Sequence, residues 1–340
     1  MKTGLLILIL AVTLFSCKKD NTPPPIDNTS NAKVFLAGAL YNGKKSVATL
    51  WKNNISADFS DGTYNAYPTG MYVSGNDVYV AGSEAKARGG IFEVATIWKN
   101  GTAIYLSDTN NTSHAYANAV FVSGTDVYAA GFLESRATVW KNSVTKKLTA
   151  DSLISFANTV YVSGNDVYVG GSMSKAFLNS QQTAVIWKNG IATSLSDTIS
   201  VVHSVYVAGN DVYAAGQMYN GRSGRATIWK NGVPQSLSSN SSDANAVAVM
   251  VSGNDVYVAG NVYNGSNYMV TVWKNGLPTF LTSGMSSNAN VSGLFILDKD
   301  VYVSGTENNT AKVWKNGVAT EYKNSNTSYN CNITAVFVTK

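Results

Sequence analysis

From residue 33 onward the chain alternates apolar and polar or small residues in short runs, and Gly, Asn or Asp breaks each run after a few residues. Ser204-Val-Tyr-Val-Ala-Gly209, Asp211-Val-Tyr-Ala-Ala-Gly216, Arg225-Ala-Thr-Ile-Trp-Lys230 and Val233-Pro-Gln-Ser-Leu237 show the pattern. A period of two, β-branched and aromatic residues, and turn residues at the ends mark strands, not helices. We label the four A, B, C and D. A and B meet at Gly209-Asn210, and C and D at Asn231-Gly232. Each dipeptide is a hairpin turn that needs a positive φ, which Gly and Asn adopt at low cost. The unit is therefore a four-stranded antiparallel meander.

The unit recurs. All seven Trp, at 51, 98, 140, 187, 229, 273 and 314, stand before Lys and Asn, at a mean spacing of about 44 residues. Residues 33–340 number 308, seven times that spacing. A period in the forties built from short strands predicts an all-β fold, a seven-bladed β-propeller of four-stranded blades. The order within a blade is also legible. Small residues precede the core of every A strand (Gly70, Ala119, Thr159, Ser204, Ala248, Gly293, Ala335), as blades converging on an axis require. Strand D carries Pro234, Pro278, Lys146, Lys147 and Glu321, the devices that keep an exposed edge from pairing. Strand A is expected innermost and D outermost. The domain starts at Lys33-Val-Phe-Leu-Ala-Gly38, a B strand with no A before it. It ends at Ala335-Val-Phe-Val338, an A strand with no B after it. The last strand is expected to complete blade one and close the ring.

The Val-Tyr-Val strands resemble those of seven-bladed propellers of the NHL and YVTN kind. The Trp-Lys-Asn-Gly repeat more closely resembles a group of repeat lipoproteins of the Bacteroidetes. The resemblance implies architecture and leaves chemistry open, because propellers host binding modules, scaffolds and enzymes alike. The double glycine of kelch repeats occurs once, at Gly170-Gly171, and the calcium-binding Asp-x-Asp-x-Asp-Gly repeat is absent. The Trp precedes the C to D turn, whereas in the sialidase Asp-box it follows.

Residues 1–16, MKTGLLILILAVTLFS, place one Lys before an apolar run too short for the roughly 20 residues of a membrane span. They read as a signal peptide. Leu14-Phe15-Ser16-Cys17 resembles the lipobox of bacterial lipoproteins, which implies that Cys17 is lipidated and becomes the new N-terminus. Residues 18–32 hold three of the six prolines and form, with Cys17, a solvated tether (17–32) ahead of the propeller (33–340). Lys18-Lys19-Asp20 loosely resembles the export tag of surface-displayed lipoproteins. The expected location is the outer membrane of the cell envelope, on either its surface or its periplasmic side. A membrane partner through the lipid anchor and a monomeric state follow.

Composition removes several classes of function. A net charge of +5, scattered along the chain, supplies no basic face for nucleic acid. Two Cys and two His allow neither a disulfide scaffold nor a zinc pattern, and no motif for a metal or cofactor is present. No nucleophile elbow or phosphate loop is present either. The Trp-Lys-Asn triplet reads as packing: Trp between blades with its indole N–H bonded to backbone, Asn in the turn, Lys in solvent. Its alternative is a Trp platform for sugar rings. The Asp that opens strand B, at 77, 126, 166, 211, 255 and 300, reads as a local turn residue. Asp61, Asp108, Asp151, Asp197 and Asp243 start the D to A connections, as Asx turns or as an acidic arc for a cation.

The A to B and C to D turns are short and uniform, while the B to C and D to A connections vary and emerge on the opposite face. Loops on a rigid scaffold concentrate function. Tyr41, Tyr219 and Tyr263 begin a shared Tyr-Asn-Gly hairpin tip there, accompanied by Arg222 and Arg225. These five are the candidate ligand-binding residues. The expectation is a non-catalytic binding module for a glycan or a protein. The rival is a polysaccharide hydrolase or lyase with a carboxylate pair at the axis.

Overall fold

A computed structural model describes residues 32–340, apart from 88, 111–112, 151, 175–180, 222, 240–242, 286–288 and 323–330. The segment expected to be a signal peptide, Cys17, the expected tether up to residue 31, Asp151 and Arg222 lie outside the described residues. The remainder forms seven four-stranded antiparallel sheets, each ordered A, B, C, D. In blade five these are Ser200–Ala208, Asp211–Asn220, Ser223–Lys230 and Val233–Ser236. The inner strands of successive blades lie side by side around the axis. The last strand, Cys331–Thr339, takes the inner place of blade one between Asn290–Leu297 and Ala66–Ser74. There Lys33 pairs with Thr339 and Phe35 with Phe337. All residues of the outer strands Val144–Lys147, Ile191–Ser194, Val233–Ser236 and Leu277–Phe280 are exposed, as their prolines and charges require.

The inner strands start four residues earlier than the alternation suggests, or three in blade seven. A β-bulge at His203, and at its equivalents Thr69, Asn118, Asn158, Val247, Ser292 and Thr334, breaks the period of two. Opposite each bulge strand B carries Gly, because the bulged backbone presses in. A Cβ on Gly216 would overlap the carbonyl oxygen of Val201. The small residue of each A strand has a similar cause: a Cβ on Gly70 would stand 3.0 Å from the Asn118 carbonyl oxygen in the next blade.

The core lies in the seven seams between blades. Every Trp is 0–1% exposed and packs against the preceding blade, as Trp229 does on Tyr168, Ala184 and Ile186 of blade four. The stacking platform is thereby ruled out: no Trp reaches a ligand. The expected indole hydrogen bond is also corrected. The N–H groups of Trp51, Trp140, Trp187 and Trp229 have no partner, because the seam around them offers carbon. Below the bulges, one residue per inner strand forms a collar round the axis. Tyr72, Phe121, Tyr161 and Tyr206 follow one another at centroid spacings of 4.8–5.0 Å. Phe295 and Phe337 stand on the other side, with Phe337 5.1 Å from Tyr72, and Met250 holds the position in blade six.

The two turns at the lower face are tied together, which corrects two further expectations. Lys230 is not free in solvent: its ammonium bonds Asp211 at 2.7 Å and lies 5.4 Å from the Tyr213 ring centre. Nor does Asp211 serve its own turn, for its other oxygen accepts from the Asn231 amide at 2.7 Å. The same clasp joins Asp77 with Lys99 and Asn100, and recurs at Asp126, Asp166, Asp255 and Asp300. The lysine and amide partners hold Asp211 and Asp77 below the usual carboxylate range. Blade one has Lys33 at this position, and there Lys52 rests over the Phe35 ring instead.

Candidate functional site

Geometry divides the molecule into a uniform lower face, built of clasped turns, and an upper face bearing the variable connections. Of the five candidates, the four described ones stand on the B and C strands toward the upper face. Tyr41 is 47% exposed at the end of its strand, and its hydroxyl donates to the Gly43 carbonyl at 3.1 Å. Tyr263 does the same to Gly265 at 3.0 Å. In both tips an Asn caps the turn: Asn42 accepts from Lys44 and Lys45, and Asn264 from Ser266 and Asn267. Tyr219 departs from the pattern and donates to Gln217 Oε1 at 2.8 Å. Arg225 is half-buried on strand C, opposite Met218. Tyr41 stands apart in blade one, while Tyr219 and Tyr263 converge between blades five and six.

What they converge on is a pocket of about 390 Å³ lined by Gln217, Asp243, Asn245, Asn261, Tyr268, Asn290, Thr306 and Asn309. Asp243 anchors it. Its carboxylate accepts from the Tyr268 hydroxyl at 2.6 Å and from the Gly224 amide at 2.7 Å. The hydrogen bond to Asp243 heads the causes that push Tyr268 up to about 12, with the charge of Asp243 and the nearby Tyr263 and Tyr219 adding to it. Asp61 and Asp108 instead make the expected Asx turns with Thr63 and Asn110, both at 2.8 Å. The acidic residues of these connections therefore form no uniform arc. Beside Asp243, Asn261 is buried and its amide donates to Asn245 of its own blade at 3.0 Å and to Asn290 of the next at 3.1 Å, so blades six and seven share one amide network.

Across the mouth the chemistry changes. Phe92, His114, Tyr116, Phe132 and Phe156 form a continuous aromatic run, with Tyr116 stacked on Phe132 at 4.8 Å. A second pocket of about 500 Å³ opens here, lined in part by His114, Tyr116, Phe132 and Glu134. Glu93 bonds His114, and burial together with Glu93 raises the Tyr116 hydroxyl strongly.

One register position organises both halves. The residue two before the bulge of each inner strand is Tyr67, Tyr116, Phe156, Val201, Asn245, Asn290 and Asn332 in blade order two to seven and then one. The upper mouth of the axis is thus aromatic on one side and amide on the other. Sequence reasoning missed this ring, because the unrecognised bulge left those residues reading as loop. The signal was present as a recurring small-x-small-polar run, as in Ala115-Tyr-Ala-Asn118 and Ser155-Phe-Ala-Asn158.

No family model matches this chain, and no curated protein matches it. Solved structures do. A puromycin-hydrolysing peptidase of Mycobacterium tuberculosis superposes with a TM-score of 0.52 at 10% identity, over 76% of this chain and 47% of that one. A putative 6-phosphogluconolactonase of Bacteroides fragilis gives 0.46 at 13%, over 92% and 99%. A chain of a nidogen–laminin complex gives 0.45 at 8%, over 90% and 98%. At such identities the likeness extends to fold alone. The class that fold and sequence define together is the seven-bladed β-propeller.

Proposed function

We propose that this protein is a non-catalytic, lipid-anchored binding module of the outer membrane whose upper face takes a neutral glycan. The observation that carries the reading is the divided mouth. A sugar ring presents an apolar C–H face and an edge of hydroxyls that both donate and accept. Tyr67, Tyr116 and Phe156 offer flat apolar surface, and Asn245, Asn290 and Asn332 offer amide donors, with acceptor capacity beside them at Asn290 and Asn332 because Asn261 occupies the Asn245 oxygen. Concave sites with a few convergent polar groups on a rigid frame are where small ligands bind. Asp243 is the single carboxylate among the residues lining the amide pocket, where glycoside hydrolysis would call for two. Binding of neutral oligosaccharides, screened on a glycan array and measured by calorimetry, should be lost in Asn245→Ala and in Tyr116→Ala with the fold retained. Failure of both substitutions to weaken a confirmed glycan would refute the reading.

A hydrolase or lyase is the second reading, favoured by the Glu93–His114 contact beside Glu134. Release of reducing ends by the purified chain, lost in Glu93→Gln, would establish it. The anchor has its own test. Mass spectrometry of the membrane-extracted chain should find residues 1–16 absent and Cys17 acylated, and an intact Met1 would exclude it.

A further inference from the structure

The clasps leave one feature of the lower face unexplained. The residue just after the C to D turn is Ile55, Val144, Ile191, Val233, Leu277 or Val318 in six blades, and these are 55–76% exposed. The hairpin does not demand an aliphatic residue there, since Thr102 serves in blade two opposite Lys99. Between copies the side chain changes among Ile, Val and Leu, yet its aliphatic character stays. The six share one register, each paired with the Lys of its triplet, as Ile191 is with Lys188, so they stand at one height round the rim. Between blades three and four the rim deepens into an apolar groove of about 520 Å³ beside Val144, Val139, Leu148 and Val167. Isolated exposed aliphatic residues need no explanation, but a ring of them in one plane does.

Two observations say what covers it. The first strand of the propeller begins on this face, at Lys33, whose ammonium reaches the Lys340 carbonyl. The 15 residues from 18 to 32 that precede it can span at most ~50 Å. The face is also cationic beyond its clasps, with Lys52, Lys146 and Lys299 added to the lysines that aspartates match. We infer that the aliphatic rim and its lysines form a shallow docking surface for an anionic lipid bilayer, seating the lower face on the membrane with the divided mouth turned away. Apolar side chains at the acyl boundary and lysines at the head groups are the two contributions that hold proteins at this interface. The inference rests on the lipid anchor of the proposed function for its geometry, but the rim's affinity is separable from it.

The test places an environment-sensitive fluorophore at Ile191→Cys on the rim and at Asn267→Cys on an upper tip, with the parent chain labelled in parallel to correct for its own cysteines. The protein, as isolated from cells, is reconstituted into vesicles of phosphatidylethanolamine and phosphatidylglycerol that contain nitroxide lipids. Expected is a blue shift and quenching at Ile191→Cys and neither at Asn267→Cys. Flotation reads the anchor separately. A chain that floats while the rim probe stays in water overturns the docking surface and leaves the anchor standing. If the chain does not float, the anchor fails, and the docking surface is decided by whether added vesicles still shift the rim probe alone. A shift that appears without vesicles and grows with protein concentration assigns the rim to a second copy and overturns the lipid.

Discussion

Asn231 holds Asp211 across the width of a blade. Its amide nitrogen donates to the carboxylate at 2.7 Å, its amide oxygen accepts from the Val212 N–H at 2.8 Å, and its own backbone sits at φ 51° in the turn. One residue thus makes the C to D turn and ties it to the A to B turn two strands inward.

Replacing Asn231 should therefore cost twice. Asn231→Ala loses both hydrogen bonds and leaves in the left-handed region a residue without the short polar side chain that lets Asn adopt it, a combined cost of about 2–3 kcal/mol. Asn231→Gly keeps the turn and loses only the bonds, so chemical denaturation should rank wild type above Gly above Ala. Equal losses would mean the amide bonds contribute nothing.

The seam tryptophans give a second expectation. Trp229→Ala opens a void between blades four and five and should cost about 3–5 kcal/mol. Trp229→Phe forfeits no hydrogen bond, because the indole nitrogen has no partner, and should cost well under half of that. Denaturant midpoints of the two variants separate these values.

Ring closure can be tested by truncation. Deleting residues 333–340 strips the inner strand from blade one and exposes Leu36 and Trp51, both 0% exposed in the intact fold. Thermal melts should fall by many degrees, while removal of residues 18–32 should leave the melt unchanged.

His203, at the bulge of blade five, is held by burial at about 4, below its ordinary 6.5. The unfolded chain therefore takes up a proton that the folded one refuses. Stability from this site is complete above pH 6.5 and is lost as the pH falls toward 4, by up to about 3 kcal/mol. His203→Gln should flatten the acid side of the stability profile in that window and leave neutral pH little changed. An identical slope in both proteins would show that His203 is solvated.

Much of this fold is legible in the sequence because the repeat reports it seven times over. Trp-Lys-Asn-Gly marks the C to D turn, Gly-Asn the A to B turn, and Lys33-Val-Phe with Ala335-Val-Phe the closure. The clasp was less legible: nothing in the spacing of Asp211 and Asn231 says that a side chain bridges two hairpins. The site was least legible, since the bulge at His203 hides the true start of the inner strand. Tyr219 and Tyr263 lie beside the amide pocket, yet Asn245, Asn261 and Asn290, the residues that build it, look like ordinary loop polarity in one dimension.

The pairing of Lys33 with Thr339 also sets an order of events. Blades two to seven contain only strands that are neighbours along the chain, and each can complete itself as soon as its own stretch is delivered. Blade one cannot: its second strand is among the first residues of the domain to arrive, and its inner partner is the last. Until those final residues are in place, the chain can hold at most six finished blades and one open slot, and the ring locks only when they pair with the first strand.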